Sequence, residues 1–222
     1  MKLFVINSFS GVAQATVSAV ITFVSIPLLI HAIGQEEYGI FCLVSIVGSL
    51  NTFSSLGINS ALTRYISGQG KNIESNYDIL VSLIFITLLG TILAGAVIAF
   101  RNYILLNFLA IPSHALQRAS RLLIYLTISN TILLIGQIFT AALDGLSKIY
   151  LTSFTQTVYS IFYWGGIAIL ALAGYGLEHI GLAVLIAAVV WLVLVAFYFL
   201  HNWGFLQQRG VRHQFFRVLK KQ

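Results

Sequence analysis

Charge is what this sequence has least of. Only 8 % of its 222 residues are Asp, Glu, Lys or Arg, where soluble domains carry about a quarter. With 59 % hydrophobic residues and a mean hydropathy of +0.94, a soluble domain is excluded. One cysteine, Cys42, excludes an intrachain disulfide and reads as a small core or lipid-facing residue. No serine–histidine–acid set, paired carboxylates or phosphate-cradling glycine loop stands out. The five histidines (His31, His114, His179, His201, His213) are scattered without metal-ligand spacing. Enzyme chemistry is therefore not expected, and no cofactor is implied. The net charge of +6 does not point to nucleic acid, because five of the twelve basic residues fall in the last fourteen positions, just beyond an apolar run. A juxtamembrane basic tail is the ordinary explanation.

What the sequence does have is long apolar runs. A helix crossing a hydrocarbon core of ~30 Å needs about 20 residues, and the chain has room for six. The expected spans are 5–31, 38–63, 79–100, 121–143, 150–172 and 180–200, forming a lobe over 1–200 with a basic cytoplasmic tail over 201–222. The fold class is all-α, a polytopic membrane protein. The first run follows Lys2, is too long for a signal-peptide core and has no small-residue cleavage site, so it reads as an uncleaved span. Pro27 is expected to bend or end it. The connection 101–120, with Pro112, has room for a short interfacial helix. Lys and Arg number nine on the side of both termini (Lys2, Arg64, Lys71, Lys148 and the tail) and three on the other (Arg101, Arg118, Arg121), which places both termini in the cytoplasm.

Helical phase places the polar residues. Asn7, Gly11, Gln14, Ser18 and Ser25 share one face of span one. Ser45, Gly48, Thr52, Ser55 and Asn59 do so in span two and lead to Arg64. Span four carries Asn130, Gln137 and Asp144, and span five Thr152, Gln156, Tyr159 and Tyr163. Spans three and six lack such a stripe and read as peripheral. Small and hydroxylated residues commonly pack transmembrane helices together. The amides Gln14, Asn51, Asn59, Asn130 and Gln137 fit either packing or a hydrated pathway. Arg64 and Asp144, at span ends, read first as anchors. The candidate pathway residues are Gln14, Ser18, Asn51, Asn59, Arg64, Asn130, Gln137 and Gln156.

The stretch from Ser25 to Ser67 carries a resemblance. Pro27-Leu28-Leu29-Ile30, Ile33-Gly34, Glu36-Glu37-Tyr38-Gly39, Leu56-Gly57-Ile58-Asn59 and Thr63-Arg64-Tyr65 occur in order. Asn7, Asn130 and Gly145 followed by Lys148 fit the same pattern. The chain resembles the polysaccharide transporter family, the Wzx-type O-antigen and lipid-linked oligosaccharide flippases of the multidrug/oligosaccharidyl-lipid/polysaccharide exporter superfamily. The resemblance implies one six-helix lobe of a MATE-like two-lobe transporter, working by alternating access in the bacterial inner membrane. Its substrate would be an undecaprenyl-diphosphate-linked oligosaccharide for O-antigen, capsule or exopolysaccharide synthesis, and Arg64 is a cation that could meet the diphosphate. Membrane lipids, and a second six-helix lobe or a second copy, are the implied partners. A proton or sodium coupling ion stays open. So does the meaning of the length: a fragment, half of a split machine or a homodimer. A multidrug or cation antiporter is the alternative, disfavoured because span one has no acidic residue. A non-transporting membrane protein is the third reading.

Overall fold

The structure, a computed structural model, describes residues 2–49 and 57–204. The described residues are all helical or connecting. α1 is Lys2–Ile33, α2 Gln35–Gly48, α3 Ile58–Gln69, α4 Ile73–Ala99 and α5 the single turn Arg101–Tyr103. A π-helical turn follows over Ile104–Phe108, then α6 (Leu116–Gly145), α7 (Ile149–Leu172) and α8 (Leu177–Trp203). Five of these, α1, α4, α6, α7 and α8, are long and apolar enough to cross a membrane. The protein is a multi-pass membrane protein.

Those five coincide with five of the six expected spans. The remaining one, 38–63, is divided. α2 stops at Gly48, and Gly57 adopts the left-handed conformation (φ 79°) immediately before α3. A single continuous helix over 38–63 is incompatible with that backbone, and α2 and α3 of 14 and 12 residues are each too short to span. Asn51, Thr52 and Ser55 lie outside the described residues, as does the tail from 205. Pro27 does not end the first span, since α1 runs through it to Ile33. The connection 101–120 does hold short helical turns, α5 and the π-turn.

α6 is the hub. It packs against α8, α4, α3 and α2, while α1 lies chiefly on α7. In its most apolar stretch 44 % of α6 is buried, against 11 % for α1. Lipid is as apolar as leucine, so helices associate here through close packing and hydrogen bonds. α6 supplies the close approaches. A Cβ on Gly145 would stand 2.7 Å from Ile66 Cβ of α3, and one on Gly136 would stand 2.2 Å from the Trp191 ring of α8. From α2, Gly48 meets α6 in the same way at Leu126. Span six is accordingly not peripheral. α8 buries Ile180, Val184, Ala187, Ala188, Trp191, Val195 and Phe199. The absence of a polar stripe reflected apolar packing, not exposure to lipid.

Polar contacts gather at two ends. At one, Glu36 pairs with His114 (2.9 Å), Glu37 with Arg118, and Arg121 with Glu178 (2.6 Å). At the other, Asn7 reaches the α6–α7 turn, and the ammonium groups of Lys71 and Lys148 donate to the backbone and side-chain oxygens of Asn202 in the last turn of α8. Cations there complement the helix dipole. Burial, and next the neighbouring Lys71 charge, hold Lys148 below the usual lysine range. The Trp203 indole N–H donates to Asn76 Oδ1 at 2.6 Å beside them.

Candidate functional site

Between α6, α7 and the helices flanking them run three adjoining cavities of about 420, 280 and 400 Å³. The first is lined by Ser45, Ser49, Asn130 and Ser160 with the aromatic rings of Tyr159, Tyr163 and Trp164. The second holds Gln14, Gln137, Gln156, Asp144, Thr152 and Trp191. Asn59, Ser60, Thr63 and Thr140 line the third. Leu133 and Tyr159 belong to both the first and second, and Gln137, Thr140 and Asp144 to both the second and third. The three therefore form one groove along α6.

The groove exists because polar residues on four helices share a side. On α6, Asn130, Gln137 and Asp144 repeat every seven residues, two helical turns. α7 answers with Thr152, Gln156 and Tyr159. α1 is held against α7 by its own stripe. Asn7 Nδ2 donates to the Ser147 carbonyl at 2.8 Å, its Oδ1 accepts from the Tyr150 N–H at 3.2 Å, and Ser18 shares a 2.9 Å hydrogen bond with Ser160. Gln14 Nε2 donates to Ser18 Oγ at 3.3 Å. α3 is clasped to α6 by Asn59 Nδ2 donating to Gln137 Oε1 (2.8 Å) and by Thr63 Oγ1 donating to the Ala141 carbonyl (3.1 Å).

Of the eight candidate residues, Gln14, Asn59, Asn130, Gln137 and Gln156 line the groove, and Ser18 braces its wall through Ser160. Asn51 falls outside the described residues. Arg64 does not join them. Its side chain is exposed on α3, lines none of the three cavities, and has no hydrogen bond or ion pair among the described residues. The amides also hold helices together. Asn130 Nδ2 donates both to the Leu126 carbonyl of its own helix and to the Gly48 carbonyl, at 3.0 Å each, closing the C-terminal end of α2. Packing and groove lining are thus duties of the same side chains.

Among the groove residues absent from the eight candidates, two are instructive. Asp144, read from sequence as an anchor at a span end, lines two of the cavities and accepts a 2.7 Å hydrogen bond from Thr152 Oγ1. Helical phase had already placed it on the stripe of Asn130 and Gln137. Trp191 comes from α8, where no polar periodicity marks it. Its indole reaches the groove by lying over Gly136, and its N–H is buried without a partner among the described residues.

No curated protein and no solved structure matches the chain significantly. The family model described as "Polysaccharide biosynthesis protein" matches residues 4–221, nearly the whole length. The motif string from Pro27 to Tyr65 and the polar groove on a multi-helix membrane scaffold thus come together in one assignment: the chain belongs to the polysaccharide biosynthesis protein family.

Proposed function

We propose that the chain is a six-span lobe of a lipid-linked oligosaccharide flippase, with the groove along α6 forming its side of a polar passage. The observation that carries this reading is the continuity of the groove, lined by amides and hydroxyls over successive turns of a membrane-crossing helix. Sugars present hydroxyl groups that both donate and accept hydrogen bonds, which such a lining can match while the surrounding apolar faces meet lipid. The remaining span, expected over 38–63, would include α2 and α3. Both termini would lie in the cytoplasm, and a second six-span lobe or a second copy would close the passage. The exposed guanidinium of Arg64, unpaired among the described residues, would have to meet a diphosphate outside the three cavities, on the same helix as the groove residues Asn59 and Thr63.

Asp144 in the groove favours one competing reading, a cation-coupled antiporter of the same superfamily, because an intramembrane carboxylate is a common ion site. The deciding experiment is complementation of a strain lacking its own polysaccharide flippase. It is run with the 222 residues alone and with a co-expressed second lobe, scoring surface glycan. Restoration in either arm supports the flippase. Membrane-inserted protein that restores no glycan in either arm overturns it. Cation-dependent drug resistance conferred by such protein would establish the antiporter instead.

A further inference from the structure

Connections between spans ordinarily run out into water and are polar. The one that follows α4 is not. The uncharged run from Ile79 to Phe100 holds 22 residues, about 33 Å at the helical rise of ~1.5 Å per residue, which covers a hydrocarbon core of ~30 Å. The chain therefore leaves the core near Arg101, whose guanidinium donates to the Ile98 carbonyl at 3.2 Å. Beyond that charge the outward-facing residues are still large and apolar. Phe100, which ends the run, is 65 % exposed, Tyr103 66 %, Leu106 46 % and Phe108 78 %.

The backbone holds them there. After the single turn of α5 the π-turn carries Leu105 inward, and the Ile111 N–H donates to the Leu105 carbonyl at 2.9 Å. Ala110, left-handed at φ 49°, turns the chain so that Ile111 enters the bundle as well. Leu105 and Ile111 are buried in one cluster with Phe41 of α2 and Ala119 of α6. Two side chains thus pin the segment while four are left outside. Three observations say what covers those four. Val81, Ile84, Leu88, Ile92 and Ala96 are exposed at steps of three or four along α4, and Phe100 and Tyr103 continue that stripe. Neither α4 nor residues 100–108 line any of the three cavities, where a second lobe would close, so the stripe faces lipid. Arg101, Asn102 and Asn107 lie among the apolar residues. Such a mixture suits the headgroup layer, in which apolar side chains sink while amides and cations stay wet.

We infer that residues 100–108 form an interfacial wedge, with Phe100, Tyr103, Leu106 and Phe108 seated in the boundary between lipid headgroups and acyl chains at the ion-paired end. The partner is the bilayer surface itself. Segments of this kind sink about 5–10 Å into that boundary, a depth at which tyrosine is favoured. The wedge is independent of the flippase reading, since it needs only that α4 crosses the membrane. Through Leu105 and Ile111 it ties that leaflet to α2 and α6, beside the pair of Glu36 and His114.

The test measures depth. In a Cys42→Ser background of the full chain, Tyr103→Cys, Phe108→Cys, Ser113→Cys and Ile84→Cys are each labelled with a nitrobenzoxadiazole dye. The proteins are placed in vesicles of phosphatidylethanolamine and phosphatidylglycerol. Three quenchers are compared: iodide on both sides of the membrane, a lipid with a headgroup nitroxide, and a lipid with a nitroxide deep in its acyl chain. Position 113, exposed beside the ion pair, is the water control, and position 84, midway along α4, is the core control. Labels at 103 and 108 should be quenched best by the headgroup nitroxide, and by iodide at least threefold less than the label at 113. Leu106→Cys replaces either variant whose Tm in detergent falls clearly below that of the parent. Iodide quenching equal to that at 113 overturns the wedge, because the segment then stands in water. Strongest quenching by the deep nitroxide, matching position 84, overturns it by placing the segment in the core. Labels that no quencher reaches overturn it in favour of a protein cover, such as a second copy of the chain.

Discussion

Asn7 finishes the backbone of a turn 140 residues away. Its amide donates to the Ser147 carbonyl and its oxygen accepts from the Tyr150 N–H, so one side chain matches both groups of a turn in which Ser147 is left-handed (φ 59°). Replacing it by alanine removes two hydrogen bonds, each worth about 0.5–1.5 kcal/mol net. Asn7→Ala should therefore lower stability by about 1–3 kcal/mol, read as a drop in Tm in detergent, with faster amide exchange at Tyr150. A similar argument applies to the clasp between Asn59 and Gln137. A double-mutant cycle with Asn59→Leu and Gln137→Leu should return a coupling of about 0.6 kcal/mol, the usual size for hydrogen bonds between membrane helices. A coupling near zero would mean the two amides serve the groove and not the helix contact. At this scale much was legible in the sequence. Asn7, Gln14 and Ser18 fall on one helical face by spacing alone, and all three do meet α7 or line the groove. Trp191 was not legible, because nothing in an apolar run announces which aromatic ring will lie over a glycine of another helix.

Between elements, the glycines of α6 set the distances. Gly145 is the last residue of α6 and lets α3 approach until Thr63 and Ile66 touch it. Gly145→Val should force α3 outward at an overpacking cost of about 1–3 kcal/mol, and because Asn59 rides on α3, the Asn59–Gln137 bond should loosen with it. Tm measurement together with disulfide trapping between cysteines placed on α3 and α6 checks both effects. An unchanged trapping pattern would show that α3 is held from elsewhere. Helix existence was indicated by hydropathy, because five apolar runs overlap α1, α4, α6, α7 and α8, while α4 and α6 begin six and five residues before the expected spans, in polar sequence that hydropathy assigns to connections. The division of 38–63 was hidden because the polar residues Ser49, Asn51, Thr52 and Ser55 also fit a polar face of one helix, and only the left-handed backbone of Gly57 excludes it. Which helices are peripheral was hidden too. Lipid and protein interior reward the same side chains, so the burial of α8 and the exposure of α1 leave no compositional trace. Asp144 entered the groove because α6 runs two residues beyond the expected end of its span at 143.

For the whole molecule, the alternation of ends makes a topological prediction. The single cysteine means that Cys42→Ser yields a cysteine-free background. In it, Ser113→Cys, beside the pair of Glu36 and His114, should react with a membrane-impermeant maleimide in intact cells stripped of their outer membrane. Gln69→Cys, the last residue of α3, should react only after the inner membrane is opened. The reverse pattern would invert the orientation given by the excess of Lys and Arg on the termini side. Both positions are exposed, so a failure to label reports the membrane and not burial.

The two ends also differ in what holds them. At one, the ion pairs involve side chains largely open to solvent, His114 and Glu36 above all, and such pairs are weak and screened by salt. At the other, Asn7 grips the turn that carries Lys148, Lys148 reaches Asn202, and Asn202 is reached in turn by Lys71. A band of hydrogen bonds with no acidic partner thus ties α1, the α6–α7 turn, α8 and the start of α4 together. Mechanically the bundle resembles a tuning fork: stiff at the handle, compliant at the tines, with ionic strength acting on the compliant end alone. Any rocking that opens the groove would then spread from the ion-paired end and pivot near Asn202, in the last turn of α8.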